Sequence, residues 1–193
     1  MAEGISRRTL ALGLGAVGAN ALVPSVALAQ DPQTYSEDEV LAAAQRVFGT
    51  GAEGLATVVR HVFEDLGRPN AYIEGDEGSG ALGVGLRYGS GNLRMKGGSP
   101  LTHLFWQGPS IGFDTGGNAS RVFTLVYNLH HADDIFHRFG GVDGSAYFIG
   151  GVGVNYQRRN NVTLAPMRAG VGFRLGANIG YLHYTRRRRL NPF

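Results

Sequence analysis

From Ala169 to Thr185 the chain falls largely into two kinds of position. Val171, Phe173, Leu175, Ala177, Ile179, Tyr181 and His183 occupy one parity, while Gly170, Gly172, Arg174, Gly176, Asn178 and Gly180 occupy the other. Side chains on a strand point to opposite faces in turn, so this pattern predicts β structure with one bulky face and one face nearly stripped of side chains. The same signature occurs at Leu82, Val84, Leu86 and Tyr88 against Gly83 and Gly85. It returns from Ala146 to Tyr156, where Gly151 and Gly153 alternate with Val152, Val154 and Tyr156. Glycine weakens a strand but permits tight bending and close approach of a neighbour. Three such strands predict a strongly curved sheet closed into a barrel. The segment Leu164 to Tyr184 exceeds a typical strand of about 5–6 residues. Either glycine bends it, or Gly176-Ala177-Asn178 makes a turn and divides it.

Helical spacing is confined to the region before the strands. Ser36-Glu37-Asp38-Glu39 reads as a capping box, with Val40, Leu41, Ala44, Val47 and Phe48 forming an apolar stripe that ends at Gly49. A second helix is expected from Ala52 to Leu66, closed by Gly67-Arg68-Pro69-Asn70, with His61 beside its stripe as a structural or exposed residue. Strands are expected at 71–74, 81–88 and 92–96, with Glu74-Gly75-Asp76-Glu77-Gly78 as a solvated acidic turn. Leu104 and Trp106, then Ile111 and Phe113, suggest two short strands broken at Gly108-Pro109. Arg121 to Asn128 is apolar on both parities and reads as a central strand. A polar hairpin is expected at Arg158-Arg159-Asn160-Asn161.

Composition adds an address. Residues 1–29 read as a cleaved export signal: Arg7 and Arg8 precede a softly apolar stretch, and Ala27-Leu28-Ala29 forms a small-residue cleavage site. The weak hydrophobicity behind paired arginines favours a twin-arginine signal over the general secretory one. The stretch is too short and soft for a transmembrane anchor. The expected organisation is then leader 1–29, helices 30–69 and barrel 70–193, with helices and barrel in one domain, located in the periplasm. There is no cysteine, which removes disulfides, thiolate zinc sites, cysteine nucleophiles and lipid acylation together. The net charge of +3 is dominated by the run Arg186, Arg187, Arg188 and Arg189, so the pI near 9.4 reports a tail and gives no nucleic-acid-binding face.

Candidate chemistry is sparse. His130, Asp134 and His137 would share one face if their segment were helical, a weak candidate metal site; the alternative is a short amphipathic helix docked by Ile135, Phe136 and Phe139. His103, His130, Asp114 and Asp134 could be recruited beside a serine, but no nucleophile-elbow motif supports a hydrolase. We expect no enzyme and no cofactor. Phe105, Trp106 and Tyr156 are candidate lining residues of a ligand pocket. Arg186 to Arg189 could meet anionic headgroups or lipopolysaccharide phosphates.

Four strings carry a family resemblance: Phe105-Trp-Gln-Gly-Pro-Ser-Ile-Gly-Phe-Asp-Thr-Gly-Gly117, Phe123-Thr-Leu-Val-Tyr-Asn-Leu129, Gly144-Ser-Ala-Tyr-Phe-Ile-Gly-Gly-Val-Gly-Val-Asn-Tyr156 and Leu175-Gly-Ala-Asn-Ile-Gly-Tyr-Leu-His-Tyr184. Across essentially the whole mature chain the sequence resembles the envelope integrity protein A (EipA) family of alphaproteobacteria. A more distant similarity, in Gly108-Pro-Ser-Ile-Gly112 and Val126-Tyr-Asn128, is to the lipid-binding SYLF domain. The resemblance implies a mainly β fold, a small soluble periplasmic β-barrel of about ten strands preceded by helices; the residues themselves give two N-terminal helices and one short inserted helix. It implies a role in envelope integrity and stress resistance, with no enzymatic activity; taken with the export signal and the barrel, it leads us to expect a lipid, glycan or protein of the envelope as partner. The alternative is an integral outer-membrane barrel, suggested by the alternation, the glycines and terminal Phe193. Against that alternative stand the preceding helices, Pro192 and the four arginines.

Overall fold

The computed structural model describes residues 33–50, 54–82, 84–111, 118–169 and 178–189. The leader with Arg7, Arg8, Ala27 and Ala29, the Gly-alternating centre at 170–177, and Asp114 lie outside the described residues.

Helix α1 (Glu37–Phe48) begins at the expected capping box: the Glu39 amide donates to Ser36 Oγ and the Ser36 amide to Glu39 Oε2. Helix α2 (Leu55–Leu66) ends at Gly67, whose positive φ suits glycine. Both helices lay their stripes on the barrel wall. Val40, Ala43 and Ala44 from α1 join Leu55, Val58, Val59 and Val62 from α2 against Phe123, Leu125, Ala165 and Met167. Each fully buried valine or leucine there contributes roughly 1.5–3 kcal/mol.

Eight antiparallel strands close a barrel: β1 (Ala71–Leu82), β2 (Val84–Met95), β3 (Thr102–Ile111), β11 (Tyr181–Thr185), β5 (Arg138–Gly141), β8 (Gln157–Arg159), β9 (Val162–Ala169) and β4 (Asn118–Tyr127), which returns to β1. Three short strands sit off this ring. The hairpin of β6 (Tyr147–Ile149) and β7 (Val152–Val154) pairs with β9, and β10 (Asn178–Ile179) pairs with β3. β7 and β8 share one register along β9, since Val154 faces Met167 and Gln157 faces Leu164. Strand β4 is buried on both faces, as its sequence predicts: Val122 and Val126 point into the lumen, and Phe123 and Leu125 point to the helices. The lumen is filled by Ile73, Leu93, Leu104, Trp106, Phe139, Leu164, Leu182 and Tyr184.

Several expectations are corrected. The acidic stretch 74–78 is no turn; it lies inside β1, and Glu77 is among the most buried side chains. The three short strands expected between 71 and 96 are two twelve-residue strands paired in full. Gly108-Pro109 does not break β3. Pro109, which has no amide to donate, stands where the partner register slips by one residue between Ile179↔Ser110 and His183↔Gln107. The helix expected after His130 is one 3₁₀ turn, Ala132–Ile135, because Phe139 belongs to β5 and fills the lumen. Of the two readings of the long terminal segment, division into separate strands holds, since β9 and β11 lie apart in the barrel order; the expected turn at Gly176-Ala177 lies outside the described residues.

Candidate functional site

The registers place two rows of side chains side by side on the outer wall. Because Trp106 and Leu104 point inward, Phe105 and Gln107 of β3 point outward. Gln107 faces Tyr88 on one side and His183 on the other, and Tyr88 in turn faces Gly78. In the adjoining row Phe105 lies between Ser90 and Thr185, and Ser90 faces Asp76. A cleft of about 250 Å³ opens over these rows; Glu77, Gly89 and Trp106 contribute to its floor, and Arg188 and Arg189 form its far wall. Gly78 leaves the wall low at this point. A second cleft of about 290 Å³ adjoins it, bounded by Phe136, His183, Thr185, Arg186 and Arg187, and shares Arg189.

Strand β11 delivers the four arginines to this wall, and they are not equivalent. Arg186 donates to Asp133 Oδ1 at 2.6 Å and lies 4.3 Å over the Phe136 ring. The Arg187 carbonyl accepts from Thr185 Oγ1. Arg188 stands 6.0 Å from the Phe105 ring centroid. Among the described residues, no carboxylate lies within ion-pair distance of Arg188 or Arg189. The His183 imidazole is held below its ordinary range by burial first, then by the charges of Arg138 and Arg189. Gln107 is only 1% exposed, and its Nε2 has no hydrogen-bond partner among the described residues. An unpaired buried amide costs about 1–3 kcal/mol, so this donor is poised for an acceptor.

Beneath the cleft lies an ion network that sequence reading missed. Glu77 Oε1 accepts from Arg87 Nη1 at 2.8 Å and Arg168 Nε at 2.9 Å, while Oε2 accepts from Trp106 Nε1 at 2.9 Å and Arg168 Nη2 at 3.1 Å. Burial alone would raise the Glu77 pKa; Arg168 above all, then Arg87 and the Trp106 donor, outweigh it and hold the carboxyl at about 2. Gly89 makes room for the indole, since a Cβ there would fall 2.1 Å from a Trp106 ring atom. The signal was parity: Glu77 falls in phase with Ala71 and Ile73, and Arg168 with Leu164, so each had to point inward.

Of the three expected pocket residues, Phe105 and Trp106 line the first cleft together with Arg188 and Arg189. Tyr156 does not join them. It lies under α2, where its hydroxyl donates to Asp65 Oδ2 at 2.7 Å and meets Tyr147, while His61 stacks edge-on against Tyr147. Its outward position on the far wall follows from its place beside Val154 in the helix-facing cluster. His130, Asp134 and His137 lack the helix that would align them, and the described residues contain no cluster of three or more potential metal ligands. Asp134 instead accepts from the His131 amide. His103 bonds Asn92 Oδ1 at 3.0 Å on the wall.

Comparison with known proteins gives the lineage. A crystal structure from Brucella abortus, described as a β-barrel-like, uncharacterized protein, is 48% identical to this chain. It superimposes with a TM-score of 0.75, covering 83% of this chain and 99% of that one. No curated protein matches. The family described as Envelope integrity protein A matches residues 33–193, which span both helices and every strand of the barrel. This chain belongs to the envelope integrity protein A family.

Proposed function

We propose that the protein is an exported, periplasmic factor that supports envelope integrity and stress resistance without catalysis, by docking an anionic envelope component on its outer wall. The observation that carries this reading is the convergence of Arg188 and Arg189 on a cleft walled by Phe105. The family's name supplies the envelope. A lumen filled by apolar side chains and by the internally paired Glu77, Arg87 and Arg168 favours a surface ligand over one carried inside the barrel. Outward positions along β1, β2, β3 and β5 carry Glu74, Asp76, Arg94, His103 and Arg138, the reverse of the apolar band a lipid-embedded barrel presents. No helix among the described residues is long and apolar enough to cross a membrane.

Co-sedimentation tests the reading with vesicles of phosphatidylcholine alone and with phosphatidylglycerol added. Each arginine near an anionic surface is worth about 1 kcal/mol. Replacing Arg187, Arg188 and Arg189 by alanine is therefore expected to weaken binding to the anionic vesicles roughly a hundredfold, with strong salt dependence in the wild type. Equal, salt-insensitive binding of both proteins would remove the electrostatic reading. Release of the native protein by osmotic shock without detergent is expected; a requirement for detergent would favour the integral barrel.

A further inference from the structure

We infer that the first cleft takes a phosphorylated saccharide, with the phosphate on Arg188 and Arg189 and the sugar ring against Phe105. This rests on the anion-docking reading and narrows it to a class of ligand. Three observations carry it.

The first is Asp76. Its carboxylate lines the same cleft as the two arginines. Toward a bare phosphate it can only repel, but toward a sugar hydroxyl it is an acceptor. The second is Gln107, buried in the cleft with an unpartnered Nε2, beside Ser90 across the neighbouring strand. A buried donor, a hydroxyl and a carboxylate form the mixed polar set a saccharide's hydroxyls use, and the half-buried ring of Phe105 offers a face for sugar C–H groups. The third is size. Clefts of about 250 and 290 Å³ lie just below the usual small-molecule range of roughly 300–1,000 Å³, so each suits a headgroup and neither suits an acyl chain. The two clefts meet at Arg189, within reach of one ligand carrying a second anionic group.

The test is titration of the intact mature protein with glucose 1-phosphate, inorganic phosphate and glucose, followed by the Gln107 side-chain amide resonance and by calorimetry. Glucose 1-phosphate is expected to bind at least tenfold more tightly than phosphate or glucose, and to shift the Gln107 amide. Gln107→Leu and Asp76→Asn should each weaken glucose 1-phosphate at least fivefold, with phosphate binding unchanged or, for Asp76→Asn, tighter. Arg188→Ala/Arg189→Ala, at two exposed positions, should abolish both. Equal affinity for phosphate and glucose 1-phosphate, insensitive to Gln107→Leu, would overturn the saccharide and leave anion docking intact. So would binding to phosphatidylglycerol vesicles with no response to either soluble phosphate. No binding to any probe would overturn both readings. Tighter binding to vesicles carrying a phosphorylated glycolipid than to glucose 1-phosphate assigns a membrane source; equal binding assigns a soluble glycan.

Discussion

Replacing Glu77 by glutamine should cost the fold more than any single change on its surface. The carboxylate accepts four hydrogen bonds from three side chains, with every donor distance between 2.8 and 3.1 Å. Glutamine keeps the volume but removes the charge, leaving two buried guanidinium groups with no carboxylate between them. Breaking a buried ion pair by removing one partner costs about 3–5 kcal/mol. Domains have only about 5–15 kcal/mol in total, so the variant sits near its folding threshold. Urea unfolding measures the loss, with the fluorescence of Trp106, the chain's only tryptophan, as reporter. With a urea slope of about 1–3 kcal/mol/M, the midpoint should fall by roughly 2 M. A second variant separates charge burial from packing. Glu77→Leu/Arg87→Met/Arg168→Met removes all three buried charges and leaves the Trp106 N–H without its acceptor; replacing buried ion networks is often neutral or stabilising by about 1–4 kcal/mol, against about 1–3 kcal/mol for the orphaned donor. The pH dependence follows from the same group. Its pKa in the folded protein is about 2 against an ordinary 4.5. Its contribution is therefore complete above about pH 4.5 and is lost as pH falls through the folded value. Wild type should lose stability over that acid window, and Glu77→Gln should lose little there. A loss below about 1 kcal/mol at neutral pH, or parallel acid profiles for the two proteins, would show that the Glu77 charge does not hold the two guanidinium groups in place.

Other consequences follow from the same contacts. Gly89→Ala sets a Cβ 2.1 Å from the Trp106 ring and should cost about 1–3 kcal/mol, with a changed tryptophan emission spectrum; an unchanged spectrum and stability would show that the indole has room to move. Tyr156→Phe removes the hydrogen bond to Asp65 that ties α2 to the barrel and should cost roughly 1.5–3 kcal/mol. Amide exchange should then accelerate in α2 more than in β1 and β2. Ser36→Ala removes the α1 cap and should cost about 1 kcal/mol, read by thermal unfolding.

Much of the fold was legible because its signals are local. Ser36 and Glu39 mark a helix start whatever the tertiary context. The two apolar parities of β4 say that both its faces are covered, as they are by lumen and helices. The errors arose where tertiary pairing overrides composition. Gly75, Asp76 and Glu77 have turn chemistry, yet β2 and β4 pair with them on either side and hold them extended. Phe139 has helical spacing from Ile135, but its place is in the lumen against Tyr184. The site was half legible. Phe105 and Trp106 stand out in the sequence for aromatic character and the arginines for charge. Their meeting depends on β11 pairing with β3, a contact between segments more than seventy residues apart. Asp76 and Gln107 carried no sequence signal beyond outward parity.

On the proposed reading, function resides on the outer wall of the barrel, in the cleft between β1, β2, β3 and the arginine tail. Backbone amide shifts of the labelled protein, recorded while glucose 1-phosphate is added, test it most directly. Changes are expected at Asp76–Gly78, Tyr88–Ser90, Phe105–Gln107, Ala119, Phe136 and His183–Arg189 and nowhere else among the described residues. Changes centred on α1, α2 and the Tyr147–Tyr156 wall, with the arginine tail silent, would contradict it.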